Sequence, residues 1–190
     1  MHIAAFRTRF RRLWKEYLGG LIMLGLLFVP LLYLQFHEVI LGSGAFDRAP
    51  SCSMLRPSLV PAHVDLREEG DDSRRRCRWK VTPTEELKLL LEREKATLDK
   101  GAIELARHSL ASGREIAEQF PGNRVGDEPG FGPGAYHVDG TSSHEIRFRV
   151  SNLVVELRCS GPGEGEGRRE RRERAVRAAA EVRDALERMS

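Results

Sequence analysis

The sequence predicts an α+β domain carried behind one N-terminal membrane-spanning helix, with a small antiparallel sheet packed against helices. Three observations predict it. Residues 17–36 form an uncharged apolar run, YLGGLIMLGLLFVPLLYLQF. Two neighbouring stretches, 145–150 and 153–159, alternate apolar and polar side chains with period two. Two others, 99–120 and the C-terminal region, place apolar residues at the three- and four-residue steps of a helix.

The apolar run would be about 30 Å long as a helix, which matches the hydrocarbon core of a bilayer. Gly19, Gly20, Gly25 and Pro30 would weaken such a helix in water; lipid tolerates them because it offers the backbone no competing partner. Arg7, Arg9, Arg11, Arg12 and Lys15 precede the run against a single acid, Glu16. The positive-inside rule therefore places the N-terminus in the cytoplasm. The chain divides into a cytoplasmic basic tail (1–16), a transmembrane helix (17–37) acting as an uncleaved anchor, a linker (38–51) broken by Gly42, Gly44 and Pro50, and an extracytoplasmic domain (52–190). The expected localisation is the cell membrane, single-pass.

Net charge is +3, from 31 basic and 28 acidic residues. Residues 1–37 hold five of those cations and one acid, so the remainder carries a net charge of −1. The basicity belongs to the tail, and no nucleic-acid partner is expected. The expected partners are the lipid bilayer through 17–37 and, through the domain, an envelope protein or a small ligand.

An exported chain meets oxidising conditions, so its cysteines are candidates for pairing. A Cys52–Cys77 bridge would close a loop containing the very polar stretch REEGDDSRRR, worth about 3 kcal/mol by loop-closure entropy. The competing pairings each use Cys159. The first is favoured, which leaves Cys159 as a small buried hydrophobe.

Pro57-Ser58-Leu59-Val60 reads as one helical turn. Residues 77–81 alternate as a strand with Cys77, Trp79 and Val81 on one face. Residues 86–93 alternate through Leu87, Leu89 and Leu91, and a Thr-Pro-Thr turn before them favours a hairpin. The helix over 99–120 carries Ile103, Ala106, Leu110, Ala117 and Phe120 on its apolar face, with Asp99 as N-cap and Pro121-Gly122 as the stop. Residues 121–140, dense in glycine and proline, read as a loop. Ile146, Phe148 and Val150 then pair across a Ser151-Asn152 turn with Leu153, Val155, Leu157 and Cys159, a hairpin with one buried side. The last helix has a stripe of Ala175, Ala179, Val182, Leu186 and Met189. Its mixed charges, spaced for i,i+4 pairing, read as a solvated face.

Cys52-Ser53-Met54-Leu55, Pro57-Ser58-Leu59-Val60, Cys77-Arg78-Trp79, Gly134-Ala135-Tyr136 and the hairpin before a C-terminal helix together give a pattern that resembles the actinobacterial family known as domain of unknown function 3558. Its members are commonly lipoproteins or membrane-anchored exported domains. The resemblance implies an antiparallel sheet packed on helices and supports the Cys52–Cys77 bridge. It implies no catalytic residues.

Candidate chemistry is sparse. His137, Asp139 and His144, with His63 and Asp65 as a second half, are the nearest approach to a metal site, yet polar loop residues are the expected reading and no metal, cofactor or catalytic site is assigned. Gly130-Phe131-Gly132-Pro133-Gly134 is expected to be a structural turn, since Pro133 has no N–H for a phosphate. The expected function is a non-catalytic ligand- or protein-binding module of the cell envelope. The alternative is an accessory or sensor subunit acting through its transmembrane helix.

Overall fold

Alternation in the central stretches produces strands, and their lengths set the size of one sheet. The computed structural model describes residues 43–97, 99–162 and 166–190, together with Tyr17, Leu26, Phe28 and Val29. Those four are helical and exposed. The rest of the expected transmembrane helix (17–37) and the whole basic tail (1–16) lie outside the described residues. Among the described residues, no helix is long and apolar enough to cross a membrane.

Seven strands form the sheet: β1 (Leu66–Gly70), β2 (Arg74–Lys80), β3 (Glu86–Arg93), β4 (Arg124–Asp127), β5 (Tyr136–Asp139), β6 (Ser143–Val150) and β7 (Leu153–Ser160). Their order is β1-β2-β3-β7-β6-β5-β4, and every neighbouring pair is antiparallel. Two meanders, β1 to β3 and β4 to β7, thus meet along β3 and β7. Helix α1 (Ala102–Gln119) links them, and α2 (Glu166–Met189) follows β7. The α+β class is as the sequence predicts.

The inner face of the sheet is apolar throughout its centre. Leu87, Leu89 and Leu91 of β3, Ile146 and Phe148 of β6, and Leu153, Val155 and Leu157 of β7 are buried there. Ala175, Ala178, Ala179, Val182 and Leu186 of α2 pack onto them. The small alanines let the helix approach closely, and each large side chain removed from water contributes about 1.5–3 kcal/mol. The charged side of α2 carries the anticipated i,i+4 pairs, including Arg169–Glu173 and Arg174–Glu170.

A strap of chain covers the rest of this face. Phe46, Ala49, Cys52 and Leu55 join the core, and Cys52 is bonded to Cys77 of β2. The domain therefore begins before residue 52. Residues 43–51, expected as the end of a linker, are held because Phe46 and Ala49 have apolar surface to bury. Asn152 completes the hold. Its side-chain carbonyl accepts the Phe46 N–H at 3.0 Å, and its amide donates to the Phe46 carbonyl at 2.9 Å. Gly44 lies against this amide with φ +82°, and a Cβ there would overlap it. Cys52–Leu55 is a short 3₁₀ turn, whereas residues 57–60 make only a turn closed by the Val60 N–H on the Pro57 carbonyl.

Three further expectations change. Residues 121–140 contain β4 and β5 as well as turns: Tyr136 and Val138 find a covered face under α1, which four-residue strands need to hold a register. The β6–β7 hairpin is buried on both sides, because α1 covers its outer face through Ala106, Leu110 and Ala117 against Tyr136, Val138 and Val154. At the ends of α1, Gly101 rather than Asp99 is the N-cap, and Asp99 instead accepts a hydrogen bond from the Thr97 hydroxyl. Pro121 disfavours helical backbone at Phe120; its extended conformation takes the ring off the buried stripe, leaving it exposed.

Candidate functional site

The sequence-derived histidine group divides. His137, Asp139 and His144 come together on β5 and β6, since Asp139 lies directly across from His144. Asp139 Oδ1 is 2.5 Å from His144 Nδ1, His137 Nδ1 is 3.0 Å from Glu128 Oε1, and the two imidazoles stack at 5.4 Å. Gly126, opposite His137, leaves room for its ring. His63 and Asp65 stay on the exposed segment ahead of β1. His144 is fully buried, and burial lowers its pKa against the pull of Asp139. Arg172 of α2 reaches Glu128 at 3.2 Å. This is a polar seam tying the β4–β5 edge to α2, and among the described residues no group of three or more His, Cys, Asp or Glu is placed to hold a metal ion. Cys159, opposite His144, is also buried, and burial pushes its thiol up to about 12. It is therefore a packed thiol, not a nucleophile, at neutral pH.

The outer face presents a different arrangement. Helix α1 covers it over β4 to β7; over β1 to β3 no helix among the described residues lies on it. The period-two run Arg74, Arg76, Arg78, Lys80 points this way because Cys77 and Trp79 point into the core. Pairing register then sets cation opposite cation. Arg67 of β1 faces Arg78 of β2, which faces Lys88 of β3, which faces Arg158 of β7. At about 4.8 Å between strands, these four positions form a line about 14 Å long. Like charges directly opposite one another destabilise a sheet, so packing does not account for the line.

Its compensation is partial. Glu86 is shared by Arg78 at 3.2 Å and Lys88 at 2.8 Å. Arg158 donates to the Ser143 hydroxyl at 3.2 Å, and its acid is Glu145 at 3.8 Å, a carboxylate that Arg147 holds at 2.5 Å. Neither Arg67 nor Arg76 forms an ion pair among the described residues. Arg78, Lys88 and Arg158 are each somewhat under half exposed, so their stems pack while their charged heads meet solvent. Arg67, Arg76, Arg78 and Lys88, with Glu69 and Leu90, border a groove of about 310 Å³ that ends at Glu156, while Arg158 lies outside it.

Beyond Glu156 lies a second hollow of about 220 Å³ at the foot of α1, bordered by Phe120, Arg147 and Arg158. Here the charges are matched. Arg147 bridges Glu145 and, at 2.9 Å, Glu156. Burial lowers the tendency of Arg147 to stay charged, but the two carboxylates outweigh it and raise its pKa. Burial and the neighbouring Glu145 charge push Glu156 up. Burial likewise raises Tyr136, whose hydroxyl has no hydrogen-bond partner among the described residues.

Sequence reasoning did not single out this groove. The alternating cations of 74–80 were a usable signal for one exposed strand face, but their alignment with Arg67, Lys88 and Arg158 depends on strand register. The fold and site thus define a class: a disulfide-closed α+β domain with a cation-lined groove on a half-covered antiparallel sheet. No family model, no curated protein and no solved structure matches the chain.

Proposed function

We propose that this protein is a membrane-anchored, non-catalytic binding module of the cell envelope, and that the uncovered groove on β1 to β3 is its binding surface. Residues 17–37 hold it in the bilayer with the N-terminus in the cytoplasm and the domain outside. On this reading it is an exported domain of the kind that the resemblance to domain of unknown function 3558 implies. The observation that carries the binding role is the cation line Arg67, Arg78, Lys88, Arg158, in which like charges face one another and four cations meet only Glu86 and a shared Glu145. The Cys52–Cys77 bridge suits an oxidising compartment. A bilayer anchor would raise the domain's effective concentration toward envelope partners.

The test uses the full chain with a C-terminal tag. It should sediment with membranes, and external protease should remove the tag from cells stripped of their outer layers. The same chain should be retained on envelope material from its own host, and Arg67→Glu should abolish that retention. A protected tag, or retention indifferent to Arg67→Glu, overturns the reading.

A further inference from the structure

We infer that β1 is a dimerisation edge: two copies of this chain join their β1 strands antiparallel about a two-fold axis at Glu68, and reciprocal Arg67–Glu69 pairs hold the joint. This goes beyond the proposed binding role and does not rest on it.

The edge is open. Strand β1 ends the sheet, and among the described residues only β2 pairs with it. Residues 67–70 are exposed. The hydrogen-bond pattern shows which backbone groups are free. The Asp71 N–H donates to the Arg74 carbonyl at 2.9 Å, and Gly70 lies opposite Arg75. Alternation along the strand then commits the backbone groups of Arg67 and Glu69 to β2, and turns those of Leu66, Glu68 and Gly70 outward. An unpaired row of this kind is a template for another strand.

Charge decides which strand. Edge strands ordinarily carry charge that keeps copies apart, and β1 reads Leu66-Arg67-Glu68-Glu69-Gly70. About an axis at Glu68, however, Arg67 stands opposite the partner's Glu69, and Glu69 stands opposite the partner's Arg67. Among the described residues, neither has an ion pair within its own chain. Both sit on the outer face at positions that exchange no ladder bonds across the joint, where facing side chains come closest. On the inner face Glu68 meets its own copy, but each carboxylate arrives compensated: Arg75 holds it at 2.7 Å and the Cys52 N–H donates to it at 3.3 Å.

Other registers lack this match. An axis at Arg67 or at Glu69 sets that residue against itself, and an axis at Leu66 or Gly70 leaves half of the strand unpaired. An axis between two residues sets outward backbone groups against inward-turned ones. At the opposite edge of the sheet, the Asp127 carboxylate of β4 is already taken by Arg114 at 2.5 Å. The β1 axis runs perpendicular to the sheet, so the two outer faces and their grooves lie on one side of the dimer. A joint that is its own complement closes at two copies.

Sedimentation equilibrium of the full chain in zwitterionic detergent tests this. A monomer–dimer equilibrium should appear, and added salt should weaken it because the pairs are exposed. Arg67→Glu and Glu69→Arg each set like charges opposite one another at two places, and each should weaken dimerisation by about tenfold or more. The double variant Arg67→Glu/Glu69→Arg restores both pairs and should dimerise as the parent does. An equimolar mixture of the two single variants should form a mixed dimer, since every facing pair is then opposite in sign. Both positions are exposed, so all three variants should melt close to the parent, which separates a broken joint from a broken fold.

A chain that stays monomeric overturns the inference, as does a dimer indifferent to both single variants. Assemblies larger than two overturn it as well, because pairing of β1 with β4 would build an open series. Single variants that neither the double variant nor the mixture rescues overturn the register, and the inference with it. Envelope retention keeps this apart from the role of the groove. Retention that depends on Arg67 in a chain that never dimerises upholds the groove and sinks the dimer. Retention regained together with the dimer in Arg67→Glu/Glu69→Arg upholds the dimer and removes Arg67 from the groove's role.

Discussion

The two halves of the sheet's outer face handle the same residue types in opposite ways. Under α1, opposite charges face each other across β6 and β7: Arg147 faces Glu156 and Glu145 faces Arg158. Beyond α1, Arg67 faces Arg78 and Arg78 faces Lys88. The covered half must be neutral inside because an unpaired charge there loses its water. The open half keeps its water and tolerates a surplus. The inner face sets the reference for both: it holds the core, and charged pairs sit toward its two ends, Glu68–Arg75 on β1–β2 and His144–Asp139 on β5–β6.

Four changes break or sharpen that contrast. The largest effect belongs to the inner face, where Phe148→Ala should cost about 3–5 kcal/mol in denaturant unfolding, since Phe148 is fully buried against the sheet, α2 and Phe131. Next, Cys77→Ala should cost about 3 kcal/mol by freeing the strap, and adding reductant to the parent should reproduce the loss. Third, the two outer halves are compared directly. Arg147→Met takes from Glu156 its ion-pair partner under α1 and should cost about 2–3 kcal/mol at neutral pH; the loss should shrink in acid as the Glu156 carboxyl, already raised by burial, takes up a proton. Arg78→Ala in the open half should stay within about 0.5 kcal/mol of the parent, because Lys88 still serves Glu86. Equal costs for Arg147→Met and Arg78→Ala would erase the distinction.

The last effect is a pH dependence. Burial lowers the pKa of His144 below its ordinary value near 6.5, so the unfolded chain takes up a proton that the folded chain refuses. Stability from this group is complete above about pH 6.5 and is lost as pH falls toward the lowered folded value, by at most about 1.4 kcal/mol per pH unit. His144→Gln should flatten the acid side of a melting-temperature profile, and an unchanged profile would remove His144 from that role.

Much of the fold was legible where local pattern and tertiary demand agree. Leu87, Leu89 and Leu91 alternate and are buried, and β3 spans the 86–93 stretch that their alternation marks. The bridge between Cys52 and Cys77 also forms as favoured. Legibility failed where the deciding contact is distant in sequence. Phe46 looked like linker because Asn152, which holds it, lies over a hundred residues away. The four-residue strands β4 and β5 exist because α1 covers them, and glycine and proline around them gave the opposite local signal. The cation line was hidden for the same reason: no single segment contains it.

One consequence concerns how the chain assembles. The middle of the sheet is the β3–β7 seam, and all of α1 and β4 to β6 lies between those strands. Cys52 and Cys77 both precede β3, so their bridge has both partners available before the seam closes. Until β7 docks, β3 is a rim whose Leu87, Leu89 and Leu91 have no strand beside them, and such rims invite pairing with foreign chains. Contacts this remote make for slow closure. Nascent molecules should therefore be most prone to aggregation, and most in need of a holding chaperone, after the first meander is made and before the second arrives.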